Sequence, residues 1–526
     1  MKKNLFILTA IAVGSFFSAC TKDFLDREPL DAYNDENIWK NENDLLAALN
    51  GCYKGWEDIY NIMYMDCATD NGYNQWPWEG YTSIGNGTVT ASDVDAANRW
   101  SYTTIQKCNT FLENADKADA DQGKKDRMKA EARFLRAYQY FTLTQLYGNV
   151  PLVTKTVTMA EANTIKQTPI AEVRQFILDE LAAIAPQLDV SYTGNDIGRI
   201  TRGAALALRA RLNLYMKKWD DAITDSRAVM QLGYKLDTSY TNVFRIKNEN
   251  NSEVILDVQY MENIVPNEWL GIMPSRGYGG WGSVVPSQAL VDAYEMANGK
   301  PITDPASGYN PDDPYTNRDP RLQASIVTPG QRYNGRIYDP LDPDSEDYYL
   351  GDNNSKTGYL YKKWTSDFSD YANIWNTGLN PIVIRYSEVL LTYAEAMIEK
   401  GTIDNTVYDA IDEVRKRAKM PVTDRTVYTG QVKMRELVRR ERRVELALEG
   451  LRWNDIKRWE IGPAVRNGKL YGMRTGSVDP VTGKLTLTGN HVEVENRLFD
   501  ASKNYVWPVP QKELDVNKNL DQNPNY

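Results

Sequence analysis

Apolar and polar positions alternate along most of this chain with the period of an α-helix. Leu437, Val444, Leu448 and Leu451 recur at i, i+7, i+11 and i+14, which is one helical face. The same reading predicts helices over 41–60, 125–147, 169–187, 201–216, 219–232, 385–400, 405–418 and 430–449. Four of these make two pairs, 201–216 with 219–232 and 385–400 with 405–418, that resemble each other. "DAITDSR" (Asp221 to Arg227) and "DAIDEVR" (Asp409 to Arg415) each follow an alanine-rich helix. Small residues at helical spacing let two helices approach closely, the logic of tetratricopeptide repeats. Between the pairs, over roughly 250–384, the pattern breaks. Gly, Pro, Asn, Asp, Tyr and Trp dominate there, and only short strands such as "EVILDVQY" are expected. A loop region this long inside a globular protein is usually functional.

The run "LVRRERRVELALEGLRW" places Arg439, Arg440, Arg442 and Arg443 within five positions. A nucleic-acid site usually lies on a basic domain, and this chain carries a net charge of -10. The arginines are therefore expected to pair along their own helix, Glu436 with Arg439 and Arg440, and Arg442 with Glu445, with Gly450 as the stop. No nucleic-acid partner is expected.

The first residues read as an export leader. Lys2 and Lys3 precede "LFILTAIAVGSFF", too short an apolar run to span a bilayer as a helix. It ends in "FSAC", which resembles the cleavage box of bacterial lipoproteins, with Phe17 where that box usually has Leu. Cleavage before Cys20 and lipidation of its thiol and new amine follow, and more than one acyl chain makes anchoring stable. The three further cysteines, Cys52, Cys67 and Cys108, form no disulfide framework; one bridge among them stays open. With a single histidine, His491, histidine-based catalysis and His-rich zinc sites would all rest on one residue, which reads as an ordinary loop histidine.

The 33 Tyr and 13 Trp far outnumber the 11 Phe, and Tyr and Trp are favoured where one side of a ring is dry and the other wet. Two stretches concentrate them. The first holds Asp70, Asn71, Tyr73, Asn74, Trp76, Trp78 and Tyr81; the second holds Arg276, Tyr278 and Trp281 among four glycines. Flat rings stack on the C–H face of a sugar, and the polar residues hydrogen-bond its hydroxyl rim. Trp364 and Trp375, in a later polar loop, rank below these; Trp453, Trp459 and Trp507 read as core. The acidic loop with Asp342, Asp344, Glu346 and Asp347 offers oxygens that calcium would accept, but lacks EF-hand spacing, so a solvated loop and no metal are expected. No carboxylate pair stands out as that of a glycoside hydrolase, and no enzyme is expected.

Several stretches, in order along nearly the whole chain, resemble the SusD/RagB family of surface nutrient-binding lipoproteins of Bacteroidetes. They include "AEARFLRAYQYFTLTQLYGNVPLV", "NPIVIRYSEVLLTYAEA", "RRERRVELALEGLRWNDIKRW" and "NYVWPVPQKELDVNKNLDQNPNY". The resemblance implies an all-α fold, a right-handed scaffold of tetratricopeptide-like helix pairs with a loop-rich lobe holding a few short strands. It divides the chain into a signal (1–19), a lipidated tether (20–38), an N-terminal helical part (39–250), the ligand-binding lobe (251–384) and a C-terminal helical part (385–526). It implies glycan binding at the outer membrane without cleavage, no cofactor, and a SusC-like TonB-dependent transporter as partner. It also favours the two ring-rich stretches, where the family's sites fall. Some relatives pair with peptide importers, so peptide capture is the alternative.

Overall fold

The computed structural model describes residues 38–365 and 367–526. The leader, Cys20 and the expected tether up to residue 37 lie outside them. Among the described residues, ten helices span seven residues or more. These are α1 (Glu42–Tyr53), α2 (Thr103–Asn114), α3 (Gln122–Tyr147), α4 (Ile170–Ile184), α5 (Arg202–Tyr215), α6 (Trp219–Met230), α7 (Tyr386–Lys400), α8 (Asn405–Arg417), α9 (Gln431–Glu445) and α10 (Arg452–Arg458). The capping chemistry matches the sequence. Asn41 accepts from the backbone of Asn43 and Asp44, and Asp44 returns a bond to the Asn41 N–H; Thr201 and Asp404 cap α5 and α8. Each such cap contributes about 1 kcal/mol.

Packing follows chain order: α1 against α2 and α3, α3 against α4, α4 against α5, α5 against α6, α6 against α7, and α7 against α8 and α9. The contact between α6 and α7 skips more than 150 residues, so the stretch between them leaves the helical stack and returns to it. Its ends are tied together. Strand Val254–Asp257 pairs antiparallel with Ile382–Arg385, at the two edges of the loop-rich lobe. Among the described residues no helix is long and apolar enough to cross a membrane.

Four expectations need correction. The region beyond 385 is not wholly helical: strands Gly468–Val478 and Leu485–Arg497 form an antiparallel hairpin, longer than any pairing within the lobe. The alternation in "LTLT" and "HVEVE" was its signal, and His491 lies in that hairpin rather than in a loop, its Nδ1 2.9 Å from the Gly472 carbonyl oxygen. The predicted helix 41–60 breaks after Tyr53 and resumes at Ile59–Met63. The arginines of α9 do not pair along their own helix. Arg439 reaches Glu399 on α7, Arg440 reaches Glu295 in the lobe, and Arg442 faces Glu395 and Asp455. Glu436 pairs with Lys433 instead. Cys52, Cys67 and Cys108 are free and buried, the Cys108 thiol raised by its hydrogen bond to Cys52 and by burial.

Charges fill the joint between lobe and helices. Arg385, fully buried, lies 2.6 Å from Glu253, 2.6 Å from Glu445 and 2.7 Å from Glu449. Glu445 also receives Arg417 and, at 2.9 Å, Arg321. Arg321 continues to Asp319 and Glu441, and Lys363 to Glu449. Burial opposes charge on Glu445, but Arg417, Arg385 and Arg321 outweigh it and hold its carboxyl well below the usual range. Burial pushes the Lys363 ammonium down to about 8 against the pull of Glu449. Such a network is weak evidence of net stabilisation, but removing one member strands the rest in a dry interior.

Glu445→Gln keeps the shape and removes the charge that three arginines share, so it should cost about 3–5 kcal/mol in urea unfolding. The pH dependence carries a signature. Glu441, Glu445 and Glu449 all have lowered pKa values in the fold, so their contribution is complete above the ordinary glutamate range and lost as pH falls through the folded values. The parent's urea midpoint should therefore fall between about pH 5 and about pH 3. The drop should be smaller in Glu445→Gln; an equal drop in both would mean that Glu445 is not held low.

Candidate functional site

The two ring-rich stretches lie about 200 residues apart in sequence and meet in the fold. Gly72–Asn74 and Val284–Pro286 pair as antiparallel strands, Tyr73 opposite Val285. The pairing continues through side chains. The Gln75 carboxamide donates to the carbonyls of Trp281 (2.8 Å) and Gly282 (2.9 Å). Ser283 donates to Glu79 at 2.8 Å, and Asn74 donates to the other Glu79 oxygen at 3.2 Å. Burial raises the Glu79 carboxyl, and the bonds from Ser283, Tyr64 and Asn74 draw it back down. Both loops are thus one polar-stitched unit rather than two independent ones.

This unit holds its rings outward. Trp78 is 74% exposed and stacks on Trp76 with centroids 4.7 Å apart and planes 25° from parallel. The short turn Pro77–Glu79 carries Trp78, and Gly80 follows with φ +86, a conformation that favours glycine. Trp281 is 43% exposed and lies 4.7 Å from the ring of Trp375. Trp375 in turn lies over Gly271, where an added Cβ would come within 2.3 Å of the indole. One stacked and one tilted ring pair thus each present an exposed indole, Trp78 and Trp281, with Trp76 and Trp375 half-buried beside them and polar groups joining the two segments. That surface suits a ligand with flat C–H faces and a hydroxyl rim.

Not every predicted residue joins this surface. Asp70, Asn71, Asn74 and Tyr81 are buried. Asp70 accepts from Arg452 Nε and Nη2, both at 2.8 Å, and pairs with Arg443 at 2.9 Å. Burial opposes its charge, yet the two arginines hold the carboxyl far below the usual range. Asn71 accepts from Arg443 at 2.8 Å. These polar side chains are a clamp onto α9 and α10, not a hydroxyl-binding rim. Tyr81 packs edge-on to Trp507 at 6.0 Å. Tyr73 and Tyr278 are half-buried. Tyr278 nests among Tyr333, Tyr338 and Phe368, with the Arg336 guanidinium 4.2 Å from its centroid. Arg276 is exposed in the same turn.

Trp375, which the sequence ranks below the two stretches, lies against Trp281, and Gln75, in the first stretch, bridges it to the second. The Trp375 surroundings, "NIWNTG", carry the same Asn and Gly signal as the other two stretches. The bridging role of Gln75 had no sequence signal, because it depends on a partner two hundred residues away. Trp453 and Trp507 are buried as read, Trp459 is half-buried beside the guanidiniums of Arg439 and Arg458, and Trp364, placed by the sequence in a polar loop, is buried as well. In the acidic loop, Asp347 turns inward to Ser275 and Arg336, and Asp342 accepts the Asp344 N–H within its turn. Among the described residues no three His, Cys, Asp or Glu side chains converge as a metal site.

Comparison with known proteins agrees with this architecture. A family model described as the SusD family matches residues 233–526, and one described as starch-binding associating with outer membrane matches residues 23–214. The starch-binding protein SusD of Bacteroides thetaiotaomicron is 24% identical, over 100% of this chain and 99% of its own. A SusD-like protein of Bacteroides ovatus is 24% identical, over 87% of this chain and 83% of its own. The crystal structure of a SusD-like carbohydrate binding protein from Bacteroides fragilis superposes with a TM-score of 0.82 at 30% identity, covering 92% of this chain and all of that one. A family model spanning more than half the chain, and a like fold at that identity, establish that this chain belongs to the SusD family.

Proposed function

We propose that the protein captures a glycan at the cell surface and passes it, uncleaved, to a SusC-like TonB-dependent transporter in the outer membrane. The observation that carries the reading is the pair of surface tryptophans Trp78 and Trp281, the first stacked on half-buried Trp76 and the second tilted against half-buried Trp375, in two segments joined by Gln75. Similar proteins named as starch-binding, carbohydrate binding and laminarin binding support the ligand class. The leader and Cys20 support a lipid anchor. The packing of α3 to α8 in chain order, with α9 returning to α7, supports a tetratricopeptide-like scaffold that presents the lobe. Binding needs only Trp76, Trp78, Trp281 and Trp375 as stacking surfaces, with Arg276 beside them, and assigns no residue to bond cleavage.

A stacking ring contributes about 0.5–1.5 kcal/mol beyond its buried area, which is roughly two- to tenfold in affinity. Trp78→Ala and Trp281→Ala should each weaken polysaccharide retention in affinity gels by about that factor, with little change in melting temperature. Gly271→Ala should weaken retention too, by displacing Trp375. Trp453→Ala, which empties a core position, should instead cost about 3–5 kcal/mol of stability. Normal retention in all of the surface variants would remove the tryptophan surface from the binding reaction.

The anchor and the partner are tested in cells. Cys20→Ala should release the protein from the outer membrane and abolish labelling by a lipid precursor. The wild-type protein should co-purify with a TonB-dependent transporter from mild detergent. A lone, monodisperse protein in that preparation would count against the partnership.

A further inference from the structure

Two of the three buried cysteines face each other. Cys52 lies on the buried face of α1 and Cys108 on that of α2, 1% and 0% exposed. Ties at both ends of this helix pair fix an antiparallel register. Before α1 begins, the Lys40 carbonyl accepts from the Asp119 N–H, beyond the end of α2, at 3.0 Å. After α1 ends, the Lys54 carbonyl accepts from Lys107 Nζ at 3.0 Å. Lys54 and Lys107 stand next to the two cysteines in sequence, so the same register sets Cys52 against Cys108. Their thiols share a hydrogen bond. A disulfide needs two cysteines whose side chains point at each other across neighbouring backbones, and this pair meets that condition. Cys67 is buried among other neighbours, Gly85 and Arg497.

Neither thiol serves the tryptophan surface or the ion-pair joint. Their position in the chain is nonetheless specific. The stretch from Tyr53 to Lys107, roughly 55 residues, contains Tyr73, Trp76, Trp78 and Tyr81. A bond between its two ends would close the whole ring-bearing segment into one loop. Thiols of an exported chain fold in an oxidising compartment, where facing cysteines pass to the disulfide.

We propose that Cys52 and Cys108 are a disulfide-forming pair, joined in the exported protein, that staples α1 to α2 and closes the segment carrying Trp76 and Trp78 into a covalent loop. The oxidant is another disulfide, of a thiol-oxidising protein or of glutathione. One cysteine thiolate attacks a sulfur of that disulfide and expels its other sulfur as a thiolate. The second cysteine then attacks the mixed disulfide, forming the Cys52–Cys108 bond and expelling the remaining oxidant sulfur. The pair gives up two electrons and two protons, and the oxidant disulfide is reduced to two thiols. Both sulfurs are covered once α1 lies on α2, so the exchange belongs to folding and the finished core protects its product. The pairing rests on the fold; its oxidation in cells rests on the export reading and not on glycan capture.

The test starts with protein recovered from the outer-membrane fraction. It is unfolded in urea with iodoacetamide, which blocks every free thiol, then reduced, labelled with N-ethylmaleimide and read by peptide mass spectrometry. Cys52 and Cys108 should carry the second label and Cys67 the first. Iodoacetamide on Cys52 and Cys108, or the second label on Cys67, overturns the proposal. A second measurement reads the staple itself. The same protein in mild detergent is cycled through urea and refolded either with oxidised glutathione or with a phosphine reductant kept present. A bridge closing a loop of this size should leave the oxidised sample melting about 4 °C above the reduced one. Cys108→Ala should melt at one temperature after either cycle, and Cys52→Ala serves equally should Cys108→Ala not fold. Equal melting of the parent after both cycles overturns the staple. A chain recovered only from the cytoplasm would overturn the export reading instead, and the refolding cycle then decides the pairing by itself.

Discussion

Glu445 has to remain ionised in the dry centre of this protein. Its charge is what allows Arg321, Arg385 and Arg417 to meet there, and those three arginines come from the lobe, the strand that closes the lobe, and α8. Apolar contact alone would hold these parts together in several sliding arrangements. A set of bidentate and branched ion pairs accepts only one, because each misplaced oxygen leaves a buried donor open. The loop-rich lobe contains little regular structure of its own, and its position on the helices follows from that constraint.

The arginine-rich helix α9 is the other half of the same arrangement. Successive residues face different parts of the molecule: Arg439 faces α7, Arg440 the lobe, Arg442 the helix that follows, and Arg443 the start of the ring-bearing segment. A helix turns by 100° per residue, so four neighbouring cations reach four neighbours. This is why a run that looks like a phosphate-binding motif is consumed internally. It also explains why Asp70 and Asn71, polar residues beside exposed rings, belong to the scaffold: they are where the scaffold grips the ring-bearing loop.

Local pattern exposed most of the helical framework. The predicted spans 201–216, 219–232, 385–400 and 405–418 match α5 to α8 within one or two residues, because amphipathic period and caps are properties of short windows. What was not legible was pairing at a distance. The break after Tyr53 and the shortened end of α9 coincide with contacts made elsewhere in the chain: the carbonyls of Lys54 and Trp56 accept from Lys107 and Gln139, the carbonyl of Glu445 from Arg385 and Lys363, and the Leu448 N–H is taken by Asp66. At the site, glycine- and asparagine-rich surroundings marked Trp78 and Trp281 as surface rings, and the structure places both outward. The same composition could not separate them from Asp70 and Tyr81, since side-chain direction within a loop is decided by which strand it pairs with.

That strand pairing has a consequence for the chain before it is folded. Gly72–Asn74 and Val284–Pro286 are separated by five helices of the stack, and each brings only one of the two tryptophan pairs' leading rings. Neither stretch alone makes the surface. The relative placement of Trp78 and Trp281 therefore reports on completed long-range order: a chain whose lobe has not docked carries every tryptophan and still does not bring the two segments together.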